Sequence, residues 1–174
     1  MKDFNLKKKV LLLTLIIGIN SMCFGQSDAT WAKFNWLMGE WVGEGVGQPG
    51  QGNGTFSFKF DLDKHILVRR SQTIFPKDES KPEIIHDDLM IIYPDISGDP
   101  STAIYFDNEG HTINYFVQCS EKAIIFTSSK IQDATVFRLT YTLIDNKMIK
   151  TKFEMSLDGE KFKTYVEGNS KKLN

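Results

Sequence analysis

Residues 37–50 read LMGEWVGEGVGQPG, and in this stretch a tryptophan lies among glycines at every second position. The residues that share this period of two are Gly39, Trp41, Gly43, Gly45 and Gly47. A period of two is that of a β-strand, whose successive side chains point to opposite faces of a sheet. One face of the predicted strand therefore carries a large ring and then almost no side chain.

A short helix is predicted directly before this strand, in the segment SDATWAKFNWLMG. Asp28 can cap its start and Gly39 can end it. The apolar residues at helical spacing are Trp31, Phe34 and Leu37 or Met38. Because so short a helix is not stable alone, we expect it to pack against the rest of the domain.

The remainder of the chain reads as short strands separated by turns, without a linker or an internal repeat. Turn-formers such as DNEG and DN join successive strands. Most strands alternate on one side only, which favours antiparallel pairing, and their spacing is typical of a sandwich or a barrel. We predict an all-β fold, an antiparallel up-and-down β-barrel of about ten strands with a short N-terminal helix.

The clearest alternation lies in TFSFKFDL, where Phe56, Phe58 and Phe60 share one face. We expect these rings to line the inside of the barrel and to contact a ligand. Trp41 is expected to plug the closed end against the short helix and to reach the ligand from there. The glycines beside it either enlarge the cavity or allow the strand to bend for closure.

A positive charge is predicted inside the barrel at Arg70. In HILVRRSQTIF, the apolar residues Ile66, Val68 and Ile74 share a parity with Arg70 and Gln72, so both polar side chains are expected to face inward. A buried charge is costly unless it is paired. Arg70 would therefore pair with Asp88 or Asp87, or would hold the anionic head group of a ligand.

Two histidines are further candidate site residues. His86 and Asp88 lie two apart on one strand face, and His111 shares an apolar face with Tyr115. Such convergent polar groups are typical of a mostly apolar pocket, and we predict that all four contact the ligand. The alternatives are a satisfied core histidine at His111, a metal site of His86, Asp88 and His111, or acid–base work by the same residues.

The chain begins with the features of a secretory signal peptide. Four lysines precede the ten-residue run VLLLTLIIGI, and small residues follow it. The run is shorter than the about 20 residues that a membrane span needs. We place the cleavage after Gly25 or Gln26, so that residues 1–26 form the signal peptide and residues 27–174 one exported barrel domain, periplasmic or secreted. In the alternative, Cys23 is lipidated.

Cleavage there leaves 17 of the 21 basic and 21 of the 22 acidic residues, a net charge near −4. Nucleic acid is not expected as a partner, because binding it needs a basic footprint. Only Cys119 of the two cysteines would remain, so stability must come from core burial and not from an internal disulfide. No transmembrane segment is expected after cleavage, and the oligomeric state is left open.

The glycine and tryptophan pattern resembles that of known barrels. G-x-W at the entry to the first strand is similar to the lipocalin and calycin barrels. The longer G-x-W-x-G-x-G-x-G is similar to the nitrobindin-like haem-binding barrels, which are ten-stranded. Later segments, from IYFDNEGHTINYFV to FEMSLDGEKFKTYVEG, resemble lipocalin-like bacterial domains of unassigned function.

The nitrobindin resemblance implies haem as a cofactor, held by a histidine close to the C-terminus. The histidines here are His65, His86 and His111, and none lies in the last predicted strand, FKTYVEGNSKK. Tyr165 lies there, and tyrosine can ligate haem iron. Alternation, however, assigns Phe162, Thr164 and Val166 to the buried face and directs Tyr165 outward.

The sequence thus predicts an exported barrel that binds a small hydrophobic or amphipathic ligand and is not an enzyme. The first alternative is the binding of haem or another tetrapyrrole, and the second is an enzyme that uses interior histidine and aspartate. A third is a barrel filled by its own side chains.

Overall fold

The structure, a computed structural model, describes residues 29–44, 53–77, 82–130 and 135–173. The predicted signal peptide, Asp28, Gly45 and Gly47 lie outside the described residues. Lys33–Asn174 form one compact unit, and residues 29–32 are the described part of a separate N-terminal unit. Within the described parts, no helix has the length and apolar character to span a membrane.

The described residues form ten antiparallel strands that close into a barrel in the order β1-β10-β9-β8-β7-β6-β5-β4-β3-β2. The elements are a 3₁₀ helix Ala32–Leu37, β1 Gly39–Gly43, β2 Asn53–Asp61, β3 Ile66–Phe75, β4 Ile84–Tyr93, β5 Thr102–Asp107, β6 Thr112–Cys119, β7 Ala123–Ser128, β8 Val136–Asp145, β9 Met148–Ser156 and β10 Lys163–Lys172. The predicted all-β barrel with a short N-terminal helix is confirmed.

The two ends of the barrel differ. The helix end, defined by the 3₁₀ helix before β1, also carries the turns β2–β3, β4–β5, β6–β7 and β8–β9. The opposite end, which carries the turns β5–β6 and β9–β10 among the described residues, is called the far end. Trp41 is fully buried near the helix end, and its indole Nε1 donates a hydrogen bond to the carbonyl of Leu37 at 2.8 Å. Trp41 thus packs on the helix, as expected.

The interior is packed toward the helix end and more accessible toward the far end. The inward side chains with no exposed surface include Trp41, Phe58, Leu67, Met90, Ile92, Ile124 and Ile149. Toward the far end, several inward side chains are only half-buried, namely Phe56, Thr73, His86, Ile113, Phe137 and Met155. Solvent therefore reaches the inside of the barrel from the far end.

The predicted facing of β3 is wrong. Leu67 and Arg69 are buried inside the barrel, whereas Arg70 and Gln72 are exposed on its outer surface. The reason is the hairpin register, which pairs Asp61 with Ile66 and so places Ile66 on the outer face. Directly paired residues share a face of the sheet, and a shift of one residue reverses every side chain.

The predicted facing of β10 is only partly right. Val166 is half-buried and Tyr165 is exposed, as expected. Thr164, assigned to the buried face, is exposed. An irregularity in the pairing with β9 lies between Thr164 and Val166, and it changes the facing along the strand.

Gly39 has a backbone conformation that other residues adopt only with strain, because its φ is +109°. We expect Gly39→Ala to lower the free energy of unfolding by about 1 to 3 kcal/mol in guanidinium titrations. Gly43→Ala is the matched control in the same strand. Its Cβ would meet only the Gly54 carbonyl oxygen at 3.5 Å, so a change within about 0.5 kcal/mol is expected. Equal losses in the two variants would contradict this account.

Candidate functional site

Five polar side chains from five strands converge inside the barrel, near the middle of its strands. They are Arg69 on β3, Asp88 on β4, Tyr105 on β5, Tyr115 on β6 and Tyr141 on β8, and we call them the Arg69 cluster. In each strand, the residues directly before and after these positions face outward, so the period of two directs all five side chains to the interior.

Arg69 forms a buried ion pair with Asp88, in which Nη1 contacts Oδ1. Burial alone would lower the pKa of Arg69. The neighbouring Tyr141 and Asp88 outweigh burial and raise this pKa above its usual value, so the guanidinium stays charged. The guanidinium also lies over the ring of Phe56, 5.6 Å from its centroid.

The three tyrosines of the cluster remain protonated at neutral pH. Burial raises the pKa of Tyr141 to about 12, although the Arg69 guanidinium acts in the opposite direction. Burial also raises the pKa of Tyr105 and of Tyr115 above the ordinary tyrosine value. The hydroxyl of Tyr141 is therefore available as a hydrogen-bond donor, whereas that of Tyr105 already donates to Asp107.

Three buried polar atoms of the interior have no hydrogen-bond partner by distance and angle among the described residues. They are Nε of Arg69, the hydroxyl of Tyr141 and Oγ1 of Thr151. Tyr141 and Thr151 are directly paired across β8 and β9, so they share the inner face. A buried polar atom without a hydrogen bond costs about 1 to 3 kcal/mol, so a polar partner at these atoms would stabilise the folded protein.

Aromatic rings surround this polar cluster. Tyr141 lies 5.4 Å from Phe58, 5.7 Å from Phe56 and 6.2 Å from Phe126, measured between ring centroids. Trp41 stacks on Phe56 at 6.4 Å. The rings provide an apolar surface next to a fixed group of hydrogen-bond donors, an arrangement typical of small-molecule pockets.

A chain of hydrogen bonds leads from the interior to the far end. His86 Nε2 lies 3.1 Å from the hydroxyl of Tyr105, which donates to Oδ2 of Asp107 at 3.2 Å. His86 Nδ1 lies 3.0 Å from Oε1 of Glu109, and His111 Nδ1 lies 2.8 Å from Oδ2 of Asp107. The structure therefore links His86 and His111 through other groups and does not bring their rings together.

Asp107 organises the turn between β5 and β6. Its Oδ1 accepts hydrogen bonds from the backbone N–H groups of Glu109 and His111. Burial opposes ionisation of Asp107, but these bonds and the His111 side chain outweigh it and lower the pKa of the carboxyl. The Asp107 carboxylate therefore favours the folded state wherever it is ionised.

We expect Asp107→Asn to lower the free energy of unfolding at pH 7 by about 1 kcal/mol. The folded-state pKa of Asp107 lies below the unfolded value of about 3.9, so its contribution is complete above that pH and is lost as the pH falls further. Urea unfolding between about pH 7 and pH 2 should show a shallower decline below about pH 4 for Asp107→Asn than for the wild type. Asp63→Asn, an exposed change at the other end, is the control, and the same decline in all three proteins would contradict the assignment.

The structure places most of the predicted ligand-binding residues inside the barrel. Trp41, Phe58 and Tyr115 are buried there, and Phe56, Phe60, His86 and Asp88 also face inward. Three others lie elsewhere. Arg70 and Gln72 line an outer groove, where Gln72 Nε2 donates to Oδ1 of Asp87 at 2.9 Å, and His111 is exposed at the far rim.

Sequence reasoning missed Arg69, Tyr105, Asp107 and Tyr141 as site residues. The parity that predicts an inward Arg70 directs its neighbour Arg69 to solvent. Tyr141 alternates with Phe137 and Leu139, and this spacing indicates an inward position but no polar role. Its role as a polar group followed only from the convergence of distant strands.

The described residues do not form the metal site of His86, Asp88 and His111 that was considered from the sequence. No group of three or more histidine, cysteine, aspartate or glutamate side chains in the described ranges is arranged to hold a metal ion. His86 is the inward-facing histidine, and both its ring nitrogens already have partners. Tyr165 keeps 64% of its surface exposed, and its ring lies 6.2 Å from that of Phe153.

Comparison of the sequence with protein-family models and with curated proteins gives no match. The fold is similar to that of Rv2717c from M. tuberculosis, known from a crystal structure, with a TM-score of 0.54 and 11% sequence identity. The match covers 83% of this chain and 98% of that chain. At this identity the likeness shows the barrel fold and no shared activity.

Proposed function

We propose that the barrel binds a small apolar or amphipathic molecule in its far half, with the polar end of the molecule against the Arg69 cluster. The observation that carries the proposal is that Nε of Arg69 and the hydroxyl of Tyr141, which are buried beside each other, have no partner at hydrogen-bond distance and angle among the described residues. Both lie beside inward side chains that solvent still reaches. Export of the domain, predicted from residues 1–26, is part of this proposal.

The chemistry of the cluster favours a ligand with hydrogen-bond acceptors. Arg69 donates through its guanidinium, and the hydroxyl of Tyr141 donates because it stays protonated. Asp88 already balances the charge of Arg69, so a ligand head group need not carry a full negative charge. A carboxyl, sulfonyl or carbonyl group satisfies these donors, and the surrounding rings bury the apolar remainder at about 25 cal/mol per Å².

The test is a fluorescence titration with 8-anilinonaphthalene-1-sulfonate, an apolar ring system with one acidic head group, alongside native mass spectrometry of the purified protein. Tyr141→Phe removes one interior hydroxyl and keeps the ring, so we expect affinity for the probe to fall about three- to tenfold. Tyr165→Phe, the same change at an exposed position, is the matched control and should leave affinity unchanged.

Two results would overturn the proposal. In the first, the probe fails to bind and the protein carries no small molecule in the mass spectrum. In the second, Tyr141→Phe and Tyr165→Phe bind the probe as tightly as the wild type while Phe116→Lys, on the outer surface, abolishes binding. The second result would assign the probe to the outside of the barrel.

A further inference from the structure

A patch on one side of the outer barrel surface lacks charge. Nine outward positions of β4, β5 and β6, on the helix-end side of Asp87, form three rows across the strands, Tyr93–Thr102–Phe116, Ile91–Ile104–Asn114 and Leu89–Phe106–Thr112. Six of these nine residues are apolar and none is charged. We call these nine positions the apolar wall. Its aromatic members are exposed, and Phe116 keeps 61% of its surface accessible.

The opposite side of the same barrel has the usual charged surface. Outward residues of β8, β9 and β10 form ion pairs, including Arg138 with Glu154 at 2.8 Å and Lys150 with Glu167 at 2.5 Å. Both sides belong to one closed sheet. The two sides therefore differ in the side chains they carry and not in strand geometry. Few charged residues and many aromatic ones are typical of the core of a protein interface.

We propose that the apolar wall is the contact surface of a homodimer, with a second copy of this chain packed on it about a twofold axis. In such an isologous contact, the same patch meets itself, so an uncharged apolar face is complementary to its own copy. Sheet faces pack about 10 Å apart in this manner. A closed barrel has no free strand edge, so two copies cannot associate here by pairing strands and must pack face to face.

The charge pattern favours a second copy over a lipid surface. Proteins that lie on membranes combine an apolar face with lysine and arginine, which attract anionic head groups. The nine positions of the apolar wall carry no basic residue. Arg70 on β3 is paired with Leu89 at one corner of the wall, but Asp87 lies at the same corner, so this corner has no excess of positive charge. The flanks of the wall continue the apolar surface through Val68 on β3, paired with Ile91, and Ile125 on β7.

The size of the wall indicates a reversible dimer. Three strands about 4.8 Å apart and about five residues long cover roughly 240 Å² in projection, and the flanking strands extend this to roughly 400 Å². A standard interface buries about 800 Å² of accessible surface per partner. The contact is therefore smaller than a standard interface, and we expect a weak, reversible dimer.

The test is sedimentation equilibrium of the protein, expressed from the full sequence in bacterial cells, at protein concentrations between about 1 µM and about 200 µM. We expect the apparent mass to rise toward twice that of the monomer across this range. Phe116→Lys should weaken the dimer by at least about tenfold, because it buries a charge in the contact. Thr102→Lys, in the same row, should act alike and keeps the test valid if one variant misfolds.

Leu157→Lys is the matched control. Leu157 is 87% exposed in the turn between β9 and β10, on the opposite side of the barrel, so its replacement should leave the dimer unchanged. A monomer at every concentration would overturn the proposal, as would a dimer weakened by Leu157→Lys but by neither wall variant. A monomer that sediments with phosphatidylcholine vesicles, and loses this in Phe116→Lys, would also overturn it and assign the wall to lipid.

Discussion

Replacing Arg69 with methionine is expected to lower the free energy of unfolding by about 3 to 5 kcal/mol. The guanidinium is buried and paired with Asp88, whose side chain is also buried. Removing one partner leaves the other charge uncompensated in a medium of low polarity, and this desolvation is the main cost. The measurement is the midpoint and slope of the unfolding transition in guanidinium chloride at pH 7.

Arg70→Met is the matched control, because the neighbouring arginine is exposed on the outer surface. Arg70→Met should change the free energy of unfolding by no more than about 0.5 kcal/mol. The double variant Arg69→Met with Asp88→Leu should recover most of the loss, since a buried ion pair replaced by apolar residues of similar volume is often neutral. A large loss for Arg70→Met and a small one for Arg69→Met would contradict the facing of β3.

Trp41→Ala is expected to cost about 3 to 5 kcal/mol and to weaken closure at the helix end. Trp41 has no exposed surface, stacks on Phe56 and donates its indole hydrogen bond to Leu37. The alanine leaves a cavity between the barrel and the helix, and the carbonyl of Leu37 loses its donor. Thermal unfolding followed by circular dichroism measures the loss.

Trp41→Phe separates the two contributions. It keeps most of the ring and removes the donor, so a loss of about 1 kcal/mol is expected from the hydrogen bond, with a further cost for the smaller ring. If Trp41→Ala unfolds at the same temperature as the wild type, Trp41 does not pack the helix end as described.

The fold follows from the sequence because alternation is a local signal. The phenylalanines of β2 alternate with Ser57 and Lys59 along the whole strand, and Phe56, Phe58 and Phe60 do face inward. Strand number and antiparallel pairing likewise follow from short one-sided strands and turn-formers. Each of these features needs only neighbours in the chain to be recognised.

The facing of β3 was predicted wrongly, because Ile66, Leu67 and Val68 are apolar on both parities. The deciding signal lies in the preceding hairpin. The turn over residues 62–65 pairs Asp61 with Ile66, and Asp61 belongs to the polar face of β2. Reading the register from that clean strand would have placed Ile66 outside and Arg69 inside, so the error concerns a relation between strands.

The polar site was harder to predict because its members come from five strands. Tyr105, Tyr115 and Tyr141 are far apart in the sequence, and each looks like a core aromatic residue within its own strand. Only closure of the barrel places their hydroxyl groups around Arg69. Single-strand patterns give the direction of a side chain, whereas the partners across the interior depend on the strand order and stagger.

The central claim is that a small molecule enters the far half of the barrel and reaches the Arg69 cluster. Its most direct test is a nuclear magnetic resonance titration of the ¹⁵N-labelled protein with 8-anilinonaphthalene-1-sulfonate, which resolves the Arg69 Nε–H signal and the backbone amides of every strand. We expect the spectral changes to saturate at one equivalent of the probe. The Arg69 Nε–H signal should shift, and the amide shifts should be concentrated around Phe56, His86 and Tyr141. An unchanged Arg69 signal, with shifts confined to the apolar wall, would contradict it.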